Sequence, residues 1–138
     1  MNEQVIIVCG VVVKGGKILM LQRNEPELKN AHLKWEFPGG KIEFNELPEE
    51  ALKREIFEEA GVEATIDRML PHVVTSYWNY DWGKRKAICL IYLCNYVSEE
   101  EVAKDHRVER IDWFKKEEIS GLDSLPGTNE IIKLVFPL

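Results

Sequence analysis

The sequence predicts an α/β fold in which a mixed β-sheet is sandwiched between α-helices. Three observations carry that expectation. β-Branched apolar runs of strand length recur along the chain, beginning at Gln4 to Val13. One long helical pattern, Leu47 to Ala60, interrupts them. More strand-like runs follow and helical segments close the chain, an order that packs helices onto a mixed sheet. Residues 1–138 read as one domain, because the length is ordinary for a domain and no linker, repeat or low-complexity tract divides it.

Gln4 to Val13, QVIIVCGVVV, is expected to be a strand buried on both faces. Lys14-Gly15-Gly16-Lys17 is a turn and Ile18 to Gln22 a second strand, so the two make a hairpin. Asn24 to Lys34 is polar and reads as loop. Trp35-Glu36-Phe37 is a short extended piece stopped by Pro38-Gly39-Gly40. The helix over Leu47 to Ala60 has Glu46, Glu49 and Glu50 at its N-terminal end, where acids suit the dipole, and Gly61 as its C-terminal stop. Ala64 to Met69 and Val73 to Tyr80 read as two strands, Asp81 to Lys84 as a turn and Ala87 to Val97 as an apolar strand. Ser98 to Asp105 is charged loop and Arg110 to Phe114 a last short strand. Helices are expected at Lys115 to Ile119 and Asn129 to Val135, with loop from Leu122 to Thr128.

At 45% hydrophobic and 30% charged residues, the composition is that of a soluble domain and excludes a disordered chain. A net charge of -6 argues against binding a nucleic-acid polymer, which needs a basic footprint. It leaves room for a polyphosphate substrate, since a divalent cation neutralises enzyme acids and phosphates together. Cys9, Cys89 and Cys94 are odd in number, form no CxxC pair and sit in apolar runs, so they read as buried free thiols in a reducing compartment. No basic region precedes the first apolar run, and the apolar stretches are too short to span a bilayer. The expected location is cytoplasmic, with no membrane partner; the oligomeric state stays open.

The informative segment is GKIEFNELPEEALKREIFEEAGV, Gly40 to Val62. With Glu55 at the origin of a helical wheel of about 100° per residue, Glu58 falls at about -60° and Glu59 at about +40°. Leu52, Ile56 and Ala60 form a neighbouring apolar stripe that Phe57 extends. One side of the helix therefore packs into a core, and the adjoining side presents three carboxylates. Most acidic helix faces are merely solvated. Here, like charges at i, i+3 and i, i+4 cost a few tenths of a kcal/mol each, and anions in the last turn oppose the dipole by roughly 0.3–1 kcal/mol apiece. A divalent cation such as Mg²⁺ or Mn²⁺ removes both penalties, and three carboxylates plus a backbone carbonyl make the hard oxygen site it prefers. Arg54 sits beside the cluster, either as a surface ion pair or as the group that orients one carboxylate. Pro38-Gly39-Gly40 reads as a plain turn or as a place where backbone approaches a ligand.

The same segment resembles the Nudix box, G-x5-E-x7-R-E-U-x-E-E-x-G-U with U a bulky aliphatic residue. Gly40, Glu46, Arg54, Glu55, Ile56, Glu58, Glu59, Gly61 and Val62 all fall on its fixed positions. Trp35 to Glu43, WEFPGGKIE, resembles the MutT-type nucleoside triphosphate pyrophosphatases, as do Leu19 to Arg23 and Leu125 to Glu130. The likeness covers most of the chain and is weak across Ser76 to Asp105. Asn45 stands where many members have glycine.

This resemblance implies a Nudix fold over 1–138, with the box at 40–62, and a Mg²⁺-dependent pyrophosphohydrolase whose partner is a small nucleotide. The Gly39 carbonyl, Glu55, Glu58 and Glu59 would be the metal ligands. Glu55, Glu58 and Arg54 would be the catalytic group, Arg54 orienting a carboxylate and Glu55 or a later acid, Asp105 or Glu109, assisting deprotonation of water. Arg23 would touch the nucleotide. Phe37 and Pro38 would line the base pocket through their backbone, and Asn129 would read the base edge, unless it is a helix N-cap. The implied reaction cleaves a nucleoside triphosphate, such as one with an oxidised purine, to a monophosphate and pyrophosphate. ADP-ribose and dinucleoside polyphosphates are the alternatives. Tyr77 and Tyr80 lie where some dinucleoside polyphosphate hydrolases carry a tyrosine, and Pro71 is too early for the ADP-ribose pattern. Trp78 and Trp82 are candidates for stacking on a base. A catalytically silent nucleotide-binding domain would be expected to lose box acids, and this chain keeps them all.

Overall fold

The chain is described here from a computed structural model covering residues 1–136. β1 (Asn2–Lys14) is central to the sheet because its second half is apolar on both sides. Val8 and Val12 enter one core and Val11 the other. Burial on both faces holds only from Val8 to Val12; nearer the N-terminus, Ile6 is half exposed. β1 pairs in antiparallel fashion with β2 (Lys17–Arg23) through just Val13↔Ile18 and Lys14↔Lys17. The two strands then diverge. β3 (Trp35–Glu36) takes the edge of β2 at Leu21 and Gln22, while β4 (Gly39–Lys41) takes the edge of β1 from Ile7 to Cys9. Gly39 to Lys41 is thus a short strand as well as the end of the preceding one, and Phe37, between it and β3, lines the gap left by the splayed hairpin.

α1 (Pro48–Ala60) follows β4, with the Leu47 N–H donating to Glu50 Oε1 at 2.8 Å and Gly61 closing it at φ 70°. Ala51, Leu52 and Ile56 pack against Val8, Val12, Leu19 and Cys94. Full burial of Leu52 and Ile56 contributes about 1.5–3 kcal/mol each. Phe57, expected in that stripe, is 39% exposed; on the wheel it lies about 100° from Ile56, outside the buried centre of the stripe.

β5 (Val62–Tyr80) is one strand where the sequence suggested two. Its register against β6 (Gly83–Glu99) slips between Met69 and Val73, around Pro71, whose missing N–H cannot join a ladder. β6 returns parallel to β1, from Asn2↔Lys84 to Val13↔Asn95. β7 (Val108–Lys115) covers the other edge of β2. α2 (Lys116–Ile119) and α3 (Thr128–Val135) bring Ile119, Ile131 and Ile132 into the core around Val11, Ile18 and Ile91, on the face opposite α1. The sheet therefore has helices on both sides. Among the described residues no helix is long and apolar enough to cross a membrane.

Candidate active site

The splayed hairpin, the acidic side of α1 and the β5–β6 turn enclose a cleft of about 730 Å³. Glu55 forms its inner wall. The side chain is buried, and its carboxyl lies directly against the backbone of Gly40. Glu55 Oε1 accepts from Arg54 Nη1 at 3.0 Å; Oε2 is buried without a hydrogen-bond partner. Burial raises the affinity of Glu55 for a proton, partly offset by Arg54 and Arg107.

Glu59 lies one turn further on, accepting the Gly39 N–H at 2.9 Å. Burial first, then the Glu55 and Glu36 carboxylates, hold its pKa well above the ordinary carboxylate range, against the pull of the Gly39 N–H and Arg107. Glu58 is exposed and accepts from Arg54 Nη1 at 3.2 Å. Arg54 also clasps Glu46, through Nε at 2.6 Å and Nη2 at 2.8 Å. The hydrogen bonds from Arg54 lower the Glu46 pKa to about 2. Among the described residues, no three His, Cys, Asp or Glu side chains are gathered closely enough to hold a metal ion. Arg54 reaches Glu55 and Glu58, so those two carboxylates converge on a guanidinium.

The far wall carries different chemistry. Arg23 makes a fork on Glu36, with Nε–Oε2 2.8 Å and Nη2–Oε1 2.7 Å, and its Nη1 donates to Glu25 at 3.1 Å. The guanidinium carbon is 5.7 Å from the centre of the Trp78 ring. Beyond Trp78, Tyr80 and Trp82 stack 5.2 Å apart with Arg85 over both rings. A smaller, apolar recess of about 80 Å³ opens beside Trp78, lined in part by Phe37, Ser76, Cys89 and Thr128. The Cys9 and Cys89 thiols meet in this region at 2.9 Å. Cys9 is half-buried, whereas Cys89 and Cys94 are buried; all three are free.

Several positions differ from the sequence-based expectation. Pro38 is buried outside the residues lining the cleft, and its carbonyl accepts the Gly10 N–H at 2.9 Å, so its backbone is committed to β1. Asn129 is exposed in the first turn of α3 and lines neither cavity. It is not the N-cap either, because Gly127 holds that position. The buried neighbour Thr128 faces the recess, and its hydroxyl donates to the Leu125 carbonyl at 2.7 Å. Asp105 is taken up by Arg107, at 2.9 and 3.2 Å, and only the latter's side chain reaches toward Glu55. Glu109 is exposed and off the cleft. His32, by contrast, is the ordinary loop histidine that its sequence setting suggests, accepting the Glu25 N–H at 3.1 Å. Glu36 and Arg107 line the cleft without any local sequence pattern that marks them. Glu36 is readable as a partner for Arg23 only once β2 and β3 are paired.

The NUDIX domain family model matches residues 1–135. The chain belongs to the Nudix family. This Nudix chain is 41% identical over 64 residues to the CTP pyrophosphohydrolase of Escherichia coli K12, a match covering 46% of each protein. It is 37% identical over 71 residues to the 8-oxo-dGTP diphosphatase of Proteus vulgaris, covering 41% of this chain and 63% of that one. The match thus spans about half to under two thirds of the length of these relatives. The fold resembles that of the MutT protein from Methanosarcina mazei Go1, with a TM-score of 0.76 at 24% identity over 96% of this chain and 92% of the other. By its family it is a Nudix hydrolase, and in sequence it is similar to MutT-type members of that family.

Proposed function

We propose that this Nudix hydrolase is a Mg²⁺-dependent nucleoside triphosphate pyrophosphatase of the cytoplasm, cleaving its substrate to a nucleoside monophosphate and pyrophosphate. The observation that carries this reading is Glu55 Oε2, a carboxylate oxygen buried without a partner at the wall of a large cleft. Leaving such an oxygen unsatisfied costs more than 1 kcal/mol on the usual scale, about 1–3 kcal/mol or more for a charged group. The raised pKa values of Glu55 and Glu59 express the same need for positive charge. The chemistry of that oxygen donor set suits a divalent cation, Mg²⁺ or Mn²⁺; Glu55, Glu58, Glu59 and the Gly39 carbonyl would hold it, the carboxylates closing in from positions that are too far apart for a metal site without it.

The cation supplies charge neutralisation at the phosphates and a lowered pKa for water. The chain supplies the rest. Glu55, at the inner wall of the cleft, accepts a proton from the attacking water. Arg54 keeps Glu55 and Glu58 in place through a guanidinium that Glu46 orients. Arg23 and Phe37 stand at the nucleoside end, with Trp78 offering a face for the base. Water adds to one phosphorus of the α–β anhydride, and the bridging oxygen leaves with its electron pair. The three free cysteines suit a reducing compartment.

The relatives act on CTP and 8-oxo-dGTP, as their names state, so these two triphosphates head the panel that tests the reading. Turnover to monophosphate and pyrophosphate in Mg²⁺, abolished by EDTA and by Glu55→Gln, is the expected result. Preference for ADP-ribose or a dinucleoside polyphosphate over every triphosphate overturns the substrate class. Absence of turnover on the whole panel overturns the activity.

A further inference from the structure

The loop before β7 was expected to bring a late carboxylate to the site. It brings a guanidinium instead. Asp105 turns back to hold Arg107 three ways, through the Arg107 N–H at 2.9 Å, Nε at 3.2 Å and Nη2 at 2.9 Å. The loop itself is fastened to the end of β2, where the Asn24 N–H donates to the Arg107 carbonyl at 2.7 Å and the Asn24 amide to the His106 carbonyl at 2.9 Å. Arg107 Nη2 stands 3.9 Å from Glu55 Oε2, close enough for charge attraction and too far for a hydrogen bond.

Other arginines lining the cleft are more fully committed. All three side-chain nitrogens of Arg23 and of Arg54 donate to neighbours. Arg85 is paired with Glu3 and lies over Tyr80 and Trp82. Arg107 Nη1 has no partner among the described residues, and its side chain is 53% exposed in the cleft. A guanidinium beside an oxygen that is to hold a dication would be repelled by that dication, unless an anion stands between them.

From this geometry we infer that Arg107 is a substrate-binding residue for the polyphosphate chain, contacting phosphate oxygens next to the cation site while Asp105 keeps its fork aimed. The inference rests on the pyrophosphatase reading and adds a residue to it. Charge-assisted hydrogen bonds to phosphate are the stronger kind, and Arg presents two donors where Lys presents one point charge.

The test compares binding of a non-hydrolysable α,β-methylene nucleoside triphosphate and of the matching monophosphate, by calorimetry, with Mg²⁺ and in EDTA. Wild type, Arg107→Gln, Arg107→Lys and Asp105→Asn are measured, and turnover is followed in parallel. Arg107→Gln is expected to weaken the triphosphate analogue about tenfold, and the monophosphate much less. Arg107→Lys recovers part of the loss, and Asp105→Asn gives an intermediate loss. Unchanged analogue affinity in Arg107→Gln, while the wild type turns over triphosphates, overturns the inference and leaves the activity standing. Equal weakening of monophosphate and triphosphate also overturns it, since that pattern means a loop disturbed as a whole. A wild type that neither binds nor cleaves any triphosphate removes the reading on which the inference rests.

Discussion

The carboxyl of Glu55 occupies the space where a side chain on Gly40 would begin. A Cβ built on Gly40 would stand 2.5 Å from the Glu55 carboxyl carbon, closer than any real contact. On Gly39 the same atom would stand 1.9 Å from the Val8 carbonyl oxygen, which is backbone and cannot move aside.

The two glycines therefore predict different failures. In Gly40→Ala the flexible end of Glu55 gives way, so the protein folds with its Tm lowered by a few degrees while kcat/KM falls about 100-fold or more, the range for displacing a catalytic group. In Gly39→Ala the β1–β4 pairing must break, and a loss of roughly 3 kcal/mol or more of stability is expected. Thermal melts and steady-state kinetics on the pair check this. A Gly40→Ala enzyme of normal activity would mean Glu55 is not where catalysis needs it.

Glu59 predicts a stability profile. Its folded pKa is raised, chiefly by burial, so the folded state holds the proton more tightly than the unfolded chain does. The contribution of Glu59 to stability without metal is then most favourable below the ordinary carboxylate pKa of 4.5, and is lost as pH rises from there through the raised folded value. Glu59→Gln removes that fall and keeps an acceptor for the Gly39 N–H. In EDTA the variant should melt a few degrees above wild type at pH 7, corresponding to about 1 kcal/mol, and level with it near pH 4. Mg²⁺ should raise the wild-type Tm and reverse the order. A variant less stable than wild type in EDTA at pH 7 contradicts this account.

Arg54 predicts a kinetic loss with little structural cost. It is partly exposed and holds Glu46, Glu55 and Glu58 at once. Lysine keeps the charge and cannot span three carboxylates, so Arg54→Lys should lower kcat about 10- to 100-fold, as for groups that orient metal-site ligands. KM and Tm should change little. Equal kcat in wild type and variant would reduce Arg54 to a surface ion pair.

How much of this was legible in the sequence depends on the range of the signal. The acidic side of α1, the Gly61 stop and the Leu52–Ile56 stripe follow from a local period and were read correctly, apart from Phe57. The order of strands was legible too, because apolar runs mark them. Pairings between distant segments were not. Nothing near Pro38 announces that its carbonyl will serve Gly10, and nothing near Asp105 announces that it will bind Arg107 rather than face Glu55. The slip around Pro71 is likewise a property of two strands together.

Asn129 supplies the sharpest contrast between pattern and placement. One residue of register on a helix is about 100° of rotation, enough to turn Asn129 to solvent and Thr128 into the recess beside Trp78. Asn129→Ala should therefore leave kcat/KM unchanged within about twofold for every base, a difference under roughly 0.5 kcal/mol as for other surface substitutions. Thr128→Val keeps the shape and removes the hydroxyl that donates to the Leu125 carbonyl, so it should cost about 0.5–1.5 kcal/mol of stability. It should also alter the ratio of kcat/KM between purine and pyrimidine triphosphates, because the Thr128 side chain lines the recess. The decisive measurement is that ratio in the two variants. A change with Asn129→Ala and none with Thr128→Val would return base recognition to the asparagine and require α3 to turn when nucleotide binds.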